Sequence, residues 1–398
     1  MSTNTLLAER VSGLVAPSGF GAVLGRPADD AIHLTGGSPA VETLPRDEIA
    51  GLTRAVLDDP ATAATALDYT GHQGSPALRA WIGAREGVDA SRVVITNGAL
   101  HGLSLSLLST VDPGDLVLVE NPTYPLAVKA LQLTGARAGS VPVDRDGLDV
   151  EALAEQLRAG SRPRAVYVVP DFQNPTGAVL SSERRRRLVE LAETFGFVVI
   201  SDNPYSALRG AGAALPDLDV ASDRVVRVNT FSKTLGPGLR LGWAVAPPWL
   251  VPGLLDLRSR HDQHASSLLQ AVVARLVGEG DLFDRTVAAA AALYHERATA
   301  LVDGLSAALG EAVEVDRPEG GVFAWPRFTD PSVDVDALAA ASAEEGAVFL
   351  PGSQFAVVGD AAHARRHARV SFGQASPERL REAAARIGRA HDRIAGRR

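Results

Sequence analysis

One pattern constrains the fold of this chain more than any other. Six short aliphatic runs, mostly β-branched, each stop at a cluster of Gly, Pro, Asn, Asp or hydroxyl residues. They are Val93 to Thr96, Leu116 to Glu120, Ala165 to Val169, Phe197 to Ile200, Val225 to Val228 and Trp243 to Ala246. Runs this short and this uniformly apolar suit strands covered on both faces, as in a parallel sheet. The segments between them, such as Glu183 to Thr194, carry helical periodicity. The chain therefore reads as α/β: a large domain with a mostly parallel sheet over 36–270, preceded by a helix and arm over 1–35. From about residue 270 longer Ala/Arg/Leu-rich helices take over, with strand-like runs at Gly321–Trp325 and Ala368–Phe372, which predicts a smaller α+β domain over 271–398.

In open α/β sheets ligands bind beyond the carboxyl ends of the strands, and the conspicuous residues sit there. After the first run, Thr96-Asn97-Gly98-Ala99-Leu100 opens a helix whose free N–H groups would face an anion; an ordinary strand-to-helix turn is the plainer reading. After the second, Asn121-Pro122-Thr123-Tyr124-Pro125 offers a ring for stacking on a planar ligand, or a plug for the core. After the third comes Asp171-Phe172-Gln173-Asn174-Pro175-Thr176-Gly177, where Asn174 can both donate and accept, or simply form an Asn-Pro turn. After the fourth, Asp202 ends a wholly apolar strand, which is costly without a cationic partner unless it caps a turn.

The fifth run leads into Thr230-Phe231-Ser232-Lys233-Thr234-Leu235-Gly236-Pro237-Gly238-Leu239-Arg240. Lys129 and Lys233 are the only lysines among 39 Lys plus Arg. Arginine forms no imine and stays protonated, whereas a desolvated lysine does both kinds of chemistry. Lys233 is thus a Schiff-base candidate, against the alternative of a spared loop lysine. Arg240 is placed to clamp a phosphate. Together these ends supply an anion cradle, a stacking ring, a carboxylate, hydroxyls and an amine, the set that pyridoxal phosphate requires.

On these motifs the sequence resembles a fold-type I pyridoxal-phosphate aminotransferase of class I/II, in the branch of 2-aminoadipate aminotransferases and MocR-type aminotransferase domains. The resemblance runs from Gly36-Gly37 to Arg369-Val370-Ser371-Phe372. It implies Lys233 as Schiff-base lysine and proton shuttle, and Asp202 as partner of the ring nitrogen. It implies Asn174 and Tyr205 on the ring's phenolate oxygen, Tyr124 stacked on the ring, and Gly98, Ala99, Leu100, Thr230, Ser232 and Arg240 around the phosphate. Arg369 would grip the substrate α-carboxylate, with Gly37, Asn174 and Ser18 lining the same pocket. Tyr69 would enter the site of a partner subunit, implying a homodimer with its active site at the interface.

The activity implied is transfer of an amino group between an L-amino acid and a 2-oxo acid. Elimination, decarboxylation or oxidation would use the same cofactor residues. A ligand-sensing role is disfavoured, because only about 35 residues precede Gly36 and a DNA-binding domain needs roughly 60–80. A net charge of −8 argues against nucleic acid. The absence of cysteine excludes disulfides and a Cys nucleophile. No apolar span long enough for a membrane and no leader pattern is visible, so a cytoplasmic protein is expected.

Some positions depart from the family pattern. Gly21 stands where 2-aminoadipate enzymes carry a basic residue, leaving Arg26 as a nearby substitute. Leu100 replaces a polar side chain, so only its backbone N–H would serve. His261 and His264 are read as a helical pair that would line the pocket or lie on the surface, and no metal is expected. Arg184 to Arg187, after the capping pattern at Ser181-Ser182-Glu183, reads as a solvated helix face.

Overall fold

The computed structural model describes residues 20–219, 221–357 and 364–396, together with Ala8 and Val11. All six aliphatic runs form strands of one eight-stranded sheet. In chain order they are β1 (Val93–Thr96), β2 (Leu116–Asn121), β3 (Arg137–Asp144), β4 (Gly147–Leu148), β5 (Ala165–Val168), β6 (Val198–Asp202), β7 (Val225–Thr230) and β8 (Gly242–Val245). Their spatial order is β1-β8-β7-β6-β5-β2-β3-β4. The pairs β2–β3, β2–β5, β5–β6 and β6–β7 are parallel, whereas β8 runs antiparallel between β7 and β1.

That antiparallel strand matters for function. Gly242 registers with Thr230 on one side and Thr96 on the other, so the loop entering β8 shares an edge with the loops leaving β1 and β7. Arg240, Lys233 and Asn97 are thereby gathered from distant parts of the chain.

Apolar layers cover both faces. Leu103 and Leu107 of helix α1 (Ala99–Thr110) pack in one layer with Val119, Ile200 and Val226. On the other face Leu188 and Ala192 of helix α3 (Ser182–Phe195) join Val166, Val199 and Phe197. Helix α2 (Pro125–Gln132) lies between them in sequence and starts immediately after Tyr124. Each buried leucine contributes roughly 1.5–3 kcal/mol, so the strands are held by burial from both sides.

A separate core joins Leu301, Leu305, Phe328, Leu338 and Ile387. It contains the antiparallel strands β9 (Phe323–Ala324), β10 (Leu350–Pro351) and β11 (Ala368–Ser371), with β11 central. Ile32–His33 pairs in parallel with Ala347–Val348, so the segment before Gly36 packs onto this core. Among the described residues no helix is long and apolar enough to cross a membrane.

The arginine run on α3 corrects a sequence expectation. Ser181 caps the helix as its pattern suggests, accepting from the Arg184 backbone N–H. Arg185, however, is buried and bonds Asp171 at 2.9 Å, while Arg184 pairs with Asp144 at 2.6 Å. Only Arg186 and Arg187 face outward as a solvated surface. Asp171 also receives Arg209 at 3.0 Å and Asn203 at 2.9 Å, so this carboxylate anchors loops and lies outside the cavity lining.

Candidate active site

The strand ends close around a cavity of about 500 Å³. At one end α1 begins at Ala99, preceded by Gly98 at φ 81°, a left-handed conformation glycine adopts without strain. A side chain at Gly98 would also collide with the Arg240 guanidinium, 2.6 Å from the Cβ position. Glycine thus lets Arg240 reach over the helix start, where Nη2 donates to Asn97 O at 2.9 Å. The Thr230 and Ser232 hydroxyls lie 2.8 Å apart, and Ser232 N donates to Thr230 Oγ1. Free helix N–H groups, two hydroxyls and a guanidinium make a cradle suited to a phosphate.

Lys233 enters from the short turn after β7. Its Nζ donates to Gly37 O at 2.9 Å and sits 5.6 Å from the Tyr205 ring centroid. Burial, reinforced by Arg369, lowers its pKa to about 8, against the opposing pull of Asp202. A larger fraction is therefore the nucleophilic free amine near neutral pH than for an exposed lysine. Gly37 is needed for space here: a Cβ would lie 2.9 Å from Phe323 Cζ.

Asp202 is the only carboxylate among the described lining residues. Its Oδ2 accepts from the Tyr167 hydroxyl at 3.0 Å, and its buried Oδ1 has no partner. Burial raises its pKa to about 6, opposed by Tyr167 and Lys233. A buried carboxylate oxygen without a donor is costly, and a protonated ring nitrogen is the donor that would satisfy it. Together with the cradle and the amine, this orphaned oxygen fits pyridoxal phosphate.

Arg369, on β11, forms the opposite wall. Nη1 donates to Asn174 Oδ1 at 2.9 Å and Nη2 to Thr35 O, while Nε is buried without a partner. Its guanidinium carbon lies 4.1 Å from the Phe323 ring centroid and 4.8 Å from that of Phe355. Burial lowers its pKa to about 10, and the group stays charged at neutral pH. Tyr124 and Tyr205 complete the wall, both with phenol pKa values raised chiefly by burial, to about 12 for Tyr124.

The cavity thus unites Gly37, Ala99, Leu100, Tyr124, Asn174, Asp202, Tyr205, Thr230, Ser232, Lys233, Arg240 and Arg369. Gly98 shapes the turn without lining the cavity. Tyr69 is 78% exposed and does not line its own chain's cavity. Ser18 lies outside the described residues. Arg26 is exposed and does not line the cavity. Sequence reasoning missed Tyr167; its signal was one hydroxyl-bearing ring in an otherwise aliphatic strand.

His261 and His264 depart from expectation in part: they occupy a turn after the helix Val251–Ser259 instead of a helix and do not line the cavity, while His261 lies on the surface, as the other alternative held. His101, His261 and Asp262 bring potential metal-binding atoms within 4.8 Å. Yet Asp262 already accepts from Arg258 at 3.1 Å and Asn97 Nδ2 at 2.5 Å, and His101 Nδ1 accepts from Asn97 N. The guanidinium would oppose a cation. The arrangement instead braces the turn that carries Gly98.

Comparison with known proteins agrees with this chemistry. The family model for aminotransferase class I and II matches residues 48–387. A 2-aminoadipate transaminase of Thermus thermophilus is 33% identical, covering 90% of this chain and 89% of its own length. An aromatic-amino-acid aminotransferase of Thermococcus litoralis is 31% identical, covering 90% and 87%. The crystal structure of a Thermus thermophilus alpha-aminoadipate aminotransferase, complexed with N-(5'-phosphopyridoxyl)-L-leucine, superposes with a TM-score of 0.90 at 31% identity, covering both chains fully.

Proposed function

Since the chain belongs to the class I and II aminotransferases, we propose how its residues divide the transfer of an amino group between an amino acid and a 2-oxo acid. The chain is a fold-type I enzyme that uses pyridoxal phosphate. When bound, that cofactor supplies a reactive aldehyde and an electron-withdrawing ring.

Arg240, Thr230, Ser232 and the N–H groups of Ala99 and Leu100 hold the phosphate. Asp202 Oδ1 accepts the ring N–H and keeps that proton in place. Asn174 and Tyr205 would hold the phenolate oxygen, and Tyr124 would offer its ring face to the cofactor ring. Lys233 Nζ would be the amine that holds the cofactor's aldehyde carbon, and the same nitrogen, as a free amine, would be the base placed to take the substrate α-proton. Arg369 holds the α-carboxylate. The observation that carries this assignment is Asp202 Oδ1, unpartnered and buried in the cavity that holds the Lys233 amine.

For the substrate side chain we propose a neutral preference. Phe20, Gly21, Leu126, Leu350 and Phe323 line the cavity, and its only described lining cations are Lys233, Arg240 and Arg369. Each of those three has a role above, which leaves none for an acidic side chain. Values of kcat/KM for glutamate, 2-aminoadipate, leucine and phenylalanine should show no large advantage for the acidic pair. Gly21→Arg should shift selectivity toward acidic donors, since a Cβ there meets open space. Gly21 has φ 81°, so the variant should also lose about 1–2 kcal/mol of stability. A strong wild-type acidic preference that Gly21→Arg leaves unchanged would sink this reading.

A homodimer is proposed on the exposure of Leu67 (71%) and Tyr69 (78%), which a second copy would cover. Sedimentation should give a two-chain mass; a fully active monomer would refute it.

A further inference from the structure

We infer that Tyr167 is a positioning residue for the ring-binding carboxylate: its phenol holds Asp202 Oδ2, so that Oδ1 alone is left to meet the ring nitrogen. This rests on the proposal that Asp202 partners that nitrogen.

The backbone makes the contact possible. Tyr167 on β5 registers with Ile200 on β6, and Asp202 follows two residues later on the same face. A tyrosine side chain is long enough to reach along the strand, and its hydroxyl meets Oδ2 at 3.0 Å. The ring belongs to the apolar layer with Leu103, Leu107 and Ile200 and is 1% exposed, so packing determines where the hydroxyl points.

The phenol donates its single hydrogen to Oδ2. Burial, then the charges of Asp202 and Glu120, raises its pKa well above the ordinary value, so it remains a donor at any moderate pH. Lys233 is the cation that acts on Asp202, while Glu120 and Tyr124 act on Tyr167. Desolvation drives Asp202 toward protonation, and Tyr167 counters it. A carboxylate that stays ionised keeps the nitrogen's proton on the ring, where it is useful; a carboxylate that turns or protonates does not.

Tyr167→Phe keeps the ring and deletes only the donor. In protein loaded with pyridoxal phosphate carrying 15N at the ring nitrogen, the wild-type signal should sit at the protonated position at neutral pH. The variant's should move toward the unprotonated position. Its kcat should fall by about ten- to a hundredfold, the scale of a hydrogen bond to a charged group, with KM little changed. Asp202→Ala is the reference and should give the unprotonated signal outright. If Asp202→Ala shifts the signal and Tyr167→Phe does not, Tyr167 is only a core ring and the inference fails alone. If Asp202→Ala leaves the signal unchanged, the nitrogen is not at Asp202 and both readings fall.

Discussion

Lys233→Ala should abolish amino transfer while leaving cofactor binding largely in place. On the proposed assignment the variant loses the nucleophile and the proton shuttle together, so the half-reaction should slow on the order of 10⁴-fold or more. The phosphate cradle is built from other groups, Arg240 at the entry to β8 and the Thr230–Ser232 hydroxyl pair, and none of them depends on the lysine. Single-turnover absorbance changes with an amino acid would measure the loss, and equilibrium dialysis the retained binding. A variant within tenfold of wild type would remove Lys233 from the mechanism.

Arg369→Ala should weaken every amino-acid donor by a similar factor. The guanidinium is nearly fully buried, packed against Phe323 and Phe355, and bonded to Asn174. Truncating one partner of a buried, hydrogen-bonded charge pair costs about 2–5 kcal/mol, so kcat/KM should drop on the order of 30- to several-thousand-fold. Arg369→Lys should recover little, because an ammonium offers neither the planar fork nor a flat face to the rings. The readout is the ratio of kcat/KM between a neutral and an acidic donor, which should stay constant while both values fall. Loss confined to acidic donors would place Arg369 in the side-chain pocket instead.

The site was legible because its residues sit where aliphatic strands stop, and the end of a buried strand is where a polar residue needs a reason. Asp202, Asn174 and Lys233 stand out on that ground, whereas Arg240 stands out in the Gly/Pro loop that enters β8. β3 was missed for the opposite reason. As Arg137–Asp144 it is largely exposed, with Val141 its one buried residue, and it lies near the sheet edge, so it carries no long apolar run to detect. Arg185 misled because a run of four arginines looks uniformly solvated. All four lie within about one helical turn, where adjacent residues point about 100° apart, and only the packing decides which arginine faces in against Asp171. Tyr167 was hidden by its strand: a tyrosine among valines reads as β-propensity, and only the sheet register shows its hydroxyl at Asp202. The His261 to His264 stretch was mistaken for helix because a three-residue spacing fits one; the helix ends at Ser259, and Gln263 takes φ 60° in the turn beyond.

The central claim, that the enclosed lysine after β7 is the residue the cofactor bonds, has a direct measurement. Lys129 is the control supplied by the chain itself, exposed in the last turn of α2, whereas Lys233 lies in the cavity with its pKa lowered to about 8. Protein loaded with pyridoxal phosphate, reduced with borohydride and cleaved for peptide mapping, should carry one pyridoxyl group, on Lys233. A pyridoxyl group on Lys129, with Lys233 unmodified, would contradict the account.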